Sequence, residues 1–263
     1  MTVFKAIILG AVQGLTEFLP VSSSGHLLLA ERWLGVNTDG GLFFDIMLHL
    51  GTLVPVFIVF YKSIKDLFRP PYKTLWFLVL ASIPAAITGY IFEDAIERLY
   101  KGGTVISATL LGVSFFVTAV ELVLAEKICK KNKNALPLSA KSSIIMGVFQ
   151  GFAIIPAVSR SGTVITGGLI AGLKREKCAE FAFLMSIPVI LGASLVSSVK
   201  VIKSGIEIEL LPVVFGIISA ATFGYIAVNA TLKAVKKGKY KGFAIYLVAL
   251  GILSVLTKLL FGV

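Results

Sequence analysis

Residues 10–25 read GAVQGLTEFLPVSSSG, and residues 147–162 read GVFQGFAIIPAVSRSG. At a fixed offset of 137 residues, Gly10, Gln13, Gly14, Val21, Ser22, Ser24 and Gly25 match Gly147, Gln150, Gly151, Val158, Ser159, Ser161 and Gly162. Gly35 matches Gly172 and Phe44 matches Phe181 in the same register. A weaker echo joins residues 85–91 (AAITGYI) to residues 220–226 (AATFGYI). Apolar segments resemble one another by chance, but Gly, Gln and Ser identities held in one register do not arise that way. The chain therefore reads as two related halves, about 1–130 and about 138–263, within one integral membrane domain, 1–263. Each half carries a GxxxG pair, Gly10/Gly14 and Gly147/Gly151, whose small side chains suit close helix packing.

The composition places both halves in a bilayer. Of 263 residues 57% are hydrophobic and 15% charged, with a mean hydropathy of +0.93; a soluble domain carries about 25% charged residues. Runs at 74–92, 105–125, 210–232 and 243–260 approach or exceed the roughly 20 apolar residues that cross the hydrocarbon as a helix. They are continuous rather than alternating, which argues for helices over barrel strands. The first residues hold one lysine and no small-residue cleavage pattern, so no cleavable leader is expected. Cys129 and Cys178 sit among lysines without partner spacing and are expected as free thiols.

The segment before each Ser-rich loop is too short to cross. From Ala6 to Thr16 an apolar helix would reach roughly 17 Å, against about 30 Å of hydrocarbon. Pro20 then breaks the run, and a second short segment follows from Leu27 to Leu34. Residues 3–35 and 144–172 thus read as re-entrant helix–loop–helix units. Irregular backbone at membrane depth must be satisfied by protein or a wet cavity. Three spans complete each half, at about 42–61, 74–92 and 104–125, then at about 179–199, 210–232 and 243–261. The expected fold is all-α and polytopic: six spans, about ten helices, two halves of inverted topology.

Charge supports this path. Segments 62–73, 126–141, 174–177 and 233–241 carry net +3, +4, +2 and +5, whereas 31–39, 93–101 and 200–209 carry −1, −1 and 0. All strongly basic segments fall on one side if the Ser loops are re-entrant. The positive-inside rule makes that side the cytoplasm and puts both termini outside. The same placement accounts for the net charge of +11 without nucleic acid as a partner. Inverted halves with broken helices also occur in transporters, so a transporter is the alternative class.

Ionisable residues in such segments are candidate functional groups. Glu17 and His26 flank the first loop, and Arg160 lies in the second. If the loops meet, one site gathers a carboxylate, an imidazole, hydroxyls and a guanidinium. The free N–H groups of the following helices would favour an anion, and Arg supplies a donor fork suited to phosphate. The bland reading is that Ser, Glu and Arg merely glue the loops together. His49 has two readings, contact with the site or packing in its helix. Asp45, Glu121 and Glu180 read as groups near helix ends.

The string from Gly14 to His26 closely resembles the undecaprenyl-diphosphate phosphatase family, also called the bacitracin-resistance family. Residues 156–162, with Ser-Arg-Ser-Gly, look like its second signature, and the similarity extends through the chain, including Phe44-Asp45 to Gly51. The resemblance implies hydrolysis of undecaprenyl diphosphate to the monophosphate and phosphate, which recycles the lipid carrier for cell-wall synthesis. It implies an active site of Glu17, Ser23, His26 and Arg160, with Gln13, Ser22, Ser24, Gly25, Ser159, Ser161, Gly162 and Thr163 as substrate contacts. It further implies help from Mg²⁺ or Ca²⁺ and chemistry toward the outer face of a bacterial cytoplasmic membrane; membrane lipids and a second copy of the chain, as a homodimer, are the further partners considered. Many members carry Glu-x-x-x-Glu before the first loop. Here Gln13 replaces the first Glu, leaving Glu17 as the firm acidic metal ligand, with diphosphate oxygens supplying the rest. Ser24-Gly25-His26 and Ser159-Arg160 also resemble fragments of the acid-phosphatase-like lipid phosphatases. That family's later His-Asp motif has no counterpart, because the histidines are His26 and His49.

The expected mechanism has Arg160 and the two helix N-termini hold the diphosphate while the terminal phosphoryl group transfers. Ser23 is the preferred nucleophile or else positions a water. His26 is an acid/base or the nucleophile, and Glu17 binds the metal or assists proton transfer.

Overall fold

The computed structural model describes residues 1–36, 41–101, 104–131, 135–204 and 209–262. Of the loops whose charges were counted, residues 37–39, 132–134 and 205–208 lie outside the described residues. Eleven helices occur among the described residues: α1 (Val3–Phe18), α2 (Ser23–Leu34), α3 (Gly41–Val59), α4 (Tyr61–Leu67), α5 (Lys73–Lys101), α6 (Val105–Lys131), α7 (Ala140–Phe152), α8 (Arg160–Ile170), α9 (Arg175–Ser204), α10 (Leu210–Lys237) and α11 (Lys241–Phe261). The chain is a polytopic helical membrane protein. α5, α6, α9, α10 and α11 each contain a stretch long and apolar enough to cross a bilayer. α3 and α4 form a sixth candidate crossing, bent by 87°. This bend makes eleven helices where about ten were expected. Beyond the bend, Ser63 of α4 donates a hydrogen bond of 2.7 Å to Glu180 of α9, which braces it.

α1, α2, α7 and α8 have 16, 12, 13 and 11 residues. At 1.5 Å per residue they reach only about 17–24 Å. Hydroxyl groups start all four. Thr2 caps α1, Ser22 caps α2 and Ser159 caps α8, each accepting a backbone N–H. α7 opens with a reciprocal Ser139/Ser142 capping box.

The GxxxG glycines set the packing. α1 lies along α10, and α7 lies along α5. A Cβ on Gly10 would run into the Gly216 carbonyl, and one on Gly14 would come within 2.8 Å of the Gly224 nitrogen. On the other pair, a Cβ on Gly147 would clash with the Ala81 carbonyl and one on Gly151 would press on Thr88 at 3.1 Å. Helices α6 and α11 meet at Gly112 and Gly251, where an added Cβ on either would lie 2.9 Å from the other's carbonyl. Gly147→Ala should therefore force α5 and α7 apart and destabilise by about 1–3 kcal/mol through overpacking. Gly192→Ala, mid-helix in α9 with nothing within 4 Å, should be neutral or slightly stabilising. Thermal melts of the two variants in detergent should separate clearly.

The core is centred on α8 and the first half of α9. Val164, Ile165 and Leu169 pack with Phe181, Phe183, Leu184 and Met185, all buried. Basic segments converge at one end of the bundle. There Glu126 accepts N–H groups from Tyr240 and Lys241, Arg175 lies against Gly238, and Leu136 N–H donates to the Gly172 carbonyl. At the opposite end the N-terminal amine meets Glu209 at 2.8 Å, and Arg32 donates to the Tyr100 carbonyl at 2.8 Å.

Candidate active site

The two loops between the short helices touch. Ser161 Oγ–H donates to the Leu19 carbonyl at 3.1 Å, and Ala157 N–H donates to Ser24 Oγ at 3.3 Å. Thr118 of α6 braces the second loop, donating to the Ala157 carbonyl at 3.1 Å and accepting the Ser159 N–H at 3.1 Å. Two side-chain-bearing residues hold left-handed backbone here, Ser22 (φ 69°) and Ala157 (φ 65°). That conformation is disfavoured away from glycine and is tolerated where surrounding contacts over-determine it.

Glu17 is the hub. Its carboxylate, 7% exposed, sits at the end of α1. Ser23 Oγ–H donates to Oε2 at 2.6 Å and Gln13 Nε2 donates to the same oxygen at 2.8 Å. Arg160 Nη1 donates to Oε1 at 3.4 Å, across the junction of the two loops. His49 Nε2 lies 3.5 Å from Oε2, while its Nδ1–H donates to the Asp45 carbonyl at 2.8 Å. Of its two sequence readings, His49 thus takes the one in contact with the site. Two helix starts aim at this cluster. The N–H groups of Ser23 and Ser24 on α2 and of Arg160 and Ser161 on α8 have no hydrogen-bond partner among the described residues. Unpaired N–H groups at a helix start favour an anion.

Several residues expected as substrate contacts have other employment. Ser22 and Ser159, both buried, cap their helices through the N–H groups of Gly25 and Gly162. Ser161 holds the Leu19 carbonyl, and Ser24, although exposed, accepts from Ala157. Gly162 packs beside Ser159 and Pro20. Gly25 is a packing glycine: a Cβ there would lie 2.6 Å from the Phe115 ring and 2.7 Å from Ala157 Cβ. Thr163 is fully buried and donates to Glu121 Oε2 at 2.7 Å. Ser24 and Ser161 thus tie the two loops to each other, Ser22 and Ser159 cap helices and Thr163 ties α8 to α6, while Glu17, Ser23 and Arg160 meet where the loops join.

His26, at the end of the first loop, has both ring nitrogens engaged away from Glu17. Nδ1–H donates to the Ser22 carbonyl at 2.7 Å, and Nε2 pairs with the Tyr246 hydroxyl at 2.7 Å. The imidazole stacks on Tyr246 and meets Phe115 edge-on. No hydrogen bond links it to Glu17, Ser23 or Arg160 among the described residues. It holds the carbonyl of strained Ser22, immediately before Ser23, and so fixes the turn of the first loop. Tyr246→Phe removes the outer partner of this ring. With a hydrogen bond worth about 1 kcal/mol, turnover should fall about fivefold. The change should appear in kcat rather than KM, since Tyr246 reaches the loop through His26.

Sequence reasoning missed Tyr246, Thr118 and the inward direction of Glu121. A signal existed for two of them. Ser107, Ser114, Thr118 and Glu121 recur on one face of α6 at helical spacing within an apolar span. The first three are buried; Ser107 and Ser114 meet Arg32 and Tyr100, and Thr118 and Glu121 meet the second loop and α8. Glu121 is a half-buried partner of Thr163 rather than a group at a helix end.

A divalent cation would find oxygen donors but few carboxylates. Among the described residues no three His, Cys, Asp or Glu are grouped to hold a metal. Gln13 Oε1, however, is buried without a partner, one helical turn from Glu17. A carboxylate plus an amide carbonyl is a hard-oxygen pair that fits Mg²⁺ or Ca²⁺ when ligand oxygens complete the shell.

The model of the family described as bacitracin resistance protein BacA matches residues 6–253. The chain belongs to that family. A BacA relative named undecaprenyl-diphosphatase from Carboxydothermus hydrogenoformans is 43% identical over 256 residues, covering 96% of each chain. One of the same name from Halothermothrix orenii is 40% identical, covering 97% of this chain and 98% of the other. Undecaprenyl-diphosphatase 4 from Bacillus cereus is 41% identical over 96% of each. The BacA match takes in both Ser-rich loops, Arg160 and Tyr246.

Proposed function

We propose that this chain is an undecaprenyl-diphosphatase, hydrolysing undecaprenyl diphosphate to undecaprenyl phosphate and phosphate, and thereby conferring bacitracin resistance. The observation that carries the reading is the meeting of Glu17 and Ser23 from one loop with Arg160 from the other, beside two helix N-termini. Arg160 and the N–H groups of Ser23, Ser24 and Ser161 bind the terminal phosphate and stabilise the charge that spreads over its oxygens during transfer. Ser23 Oγ attacks that phosphorus, and Glu17 Oε2, 2.6 Å away, takes the hydroxyl proton. The bond from phosphorus to the bridging oxygen breaks, and undecaprenyl phosphate departs. Glu17 gives up that proton to solvent; water then attacks the phosphoserine phosphorus and passes a proton to Glu17, the bond from phosphorus to Ser23 Oγ breaks, Glu17 returns the proton to Ser23 Oγ, and inorganic phosphate leaves. His26 and Tyr246 hold the Ser22 turn in place. Glu17 and Gln13 are the residues that would hold Mg²⁺ or Ca²⁺, whose charge would neutralise diphosphate oxygens.

The two halves are related by inversion in this reading: α1 on α10 and α7 on α5 are equivalent pairs, and α6 on α11 crosses the axis. The basic end faces the cytoplasm, and both termini and the mouth of the site face outward. Purified protein in detergent should release phosphate from undecaprenyl diphosphate and lose that activity to a chelator, with recovery on adding Mg²⁺ or Ca²⁺. No transport is possible without a sealed membrane, so an inactive but folded preparation would instead favour a transporter.

A further inference from the structure

Where the basic segments converge, a cavity of about 500 Å³ opens between the ends of α6 and α10 and the starts of α9 and α11. Lys130, Arg175, Lys237, Lys239 and Lys241 line it. Its lining contains one carboxylate, Glu126, and that group is turned into the protein. It accepts the N–H groups of Tyr240 and Lys241 at 2.8 and 3.0 Å and Lys130 Nζ at 3.1 Å. The cavity is left strongly cationic; Arg175 has its Nε 3.7 Å from Glu176 Oε1 and its Nη1 against Gly238, and adds planar donors suited to phosphate.

An apolar groove of about 590 Å³ adjoins it on the outer surface of α6 and α11, and Lys127 lies at its near end. The same helix faces line both spaces. On α11, Lys241 stands above Ile245, Val248 and Ile252 at spacings of four, three and four. On α6, Lys130 and Lys127 stand above Val123, Val120 and Phe116 in the same manner. From Phe116 to Lys127 the groove runs about 16 Å along the helix, close to half of a hydrocarbon core about 30 Å thick. Its depth is that of one leaflet.

We propose that the cavity and groove together bind an anionic phospholipid from the leaflet at the basic end, with its phosphate among Lys130, Arg175, Lys237, Lys239 and Lys241 and one acyl chain along α6 and α11. The cationic head cavity selects the charge, and the single-leaflet depth of the groove selects a lipid over a free phosphate ion. The site is separate from the Glu17 cluster and does not depend on the reaction assigned to it. Basic residues that served topology alone would attract anionic lipid diffusely, without a bound stoichiometry.

Native mass spectrometry of the full-length protein in detergent tests this with phosphatidylglycerol, phosphatidylcholine and inorganic phosphate as probes. One phosphatidylglycerol should be retained per chain, in preference to phosphatidylcholine. The triple change Lys237→Gln, Lys239→Gln, Lys241→Gln should weaken its retention by about tenfold or more. The charge-matched change Lys62→Gln, Lys65→Gln, Lys73→Gln, in a basic segment away from the cavity, should not. Ala249→Trp, which fills the groove and leaves the lysines intact, should weaken lipid retention without altering phosphate binding. Gel filtration and an unchanged thermal melt in detergent establish that each variant is folded. Equal retention of the two lipids, equal losses in both lysine triples, or displacement of the lipid by millimolar phosphate with no effect of Ala249→Trp would each overturn the proposal.

Discussion

Arg160→Ala is expected to lower phosphate release about a thousandfold, the scale at which a single transition-state donor or a phosphate-clamping arginine is felt. Arg160 is the first helical residue of α8, and its guanidinium crosses to the other half of the chain to reach Glu17. Its side chain is 28% exposed, so it is the cationic group of this cluster that an incoming anion can meet. Loss of the guanidinium leaves Glu17 with donors in Ser23 and Gln13. The stability cost should therefore stay below the 3–5 kcal/mol typical of a buried ion pair stripped of one partner. Arg160→Lys keeps the charge but not the fork, and should recover part of the loss. Steady-state kinetics should place most of the effect in kcat, because charge spreads over the phosphoryl oxygens during transfer. A folded Arg160→Ala variant with near-normal turnover would rule out a site shared between the two loops.

The parts of this molecule readable from sequence are those governed by local chemistry. Four short helices followed from Pro20, Pro156 and runs too brief to cross a bilayer. The close approaches at Gly10, Gly14, Gly147 and Gly151 followed from small residues at one-turn spacing. The convergence of basic segments followed from counting charges. What stayed hidden depends on partners far along the chain. The bend after Val59 has no Gly or Pro at the break and is braced by Ser63 on Glu180, 117 residues away. His26 looked like a reactive neighbour of Ser23, but a tyrosine 220 residues away captures its outer nitrogen. The serines looked like ligands because hydroxyls beside glycines suit phosphate. They suit helix caps equally well, and Ser22 and Ser159 are used that way. Glu121 looked like a helix-end charge because its own helix was read for hydropathy rather than for the polar stripe it completes.

Ser23→Ala and Glu17→Gln should each cost about a thousandfold or more in kcat, and the double variant should cost little more than either alone. A nucleophile and the base that takes its proton act as a unit, and removing either removes the same step. The geometry makes the pair specific. Ser23 is the first residue of α2, and its hydroxyl points at Glu17 Oε2 from 2.6 Å, the length of a charge-assisted O–H···O⁻ bond. Glu17→Gln keeps the shape of the carboxylate but cannot accept the proton. Ser23→Cys retains a nucleophile at the same position and should keep more activity than Ser23→Ala. Rapid quenching with substrate labelled at the terminal phosphate should trap label on Ser23 in the native chain and none in Ser23→Ala. If Ser23 served only to tie the loops, like Ser24 and Ser161, its loss would add to that of Glu17 rather than overlap with it. Ser23→Ala would then remain within about tenfold of the native rate, the scale of one ordinary hydrogen bond.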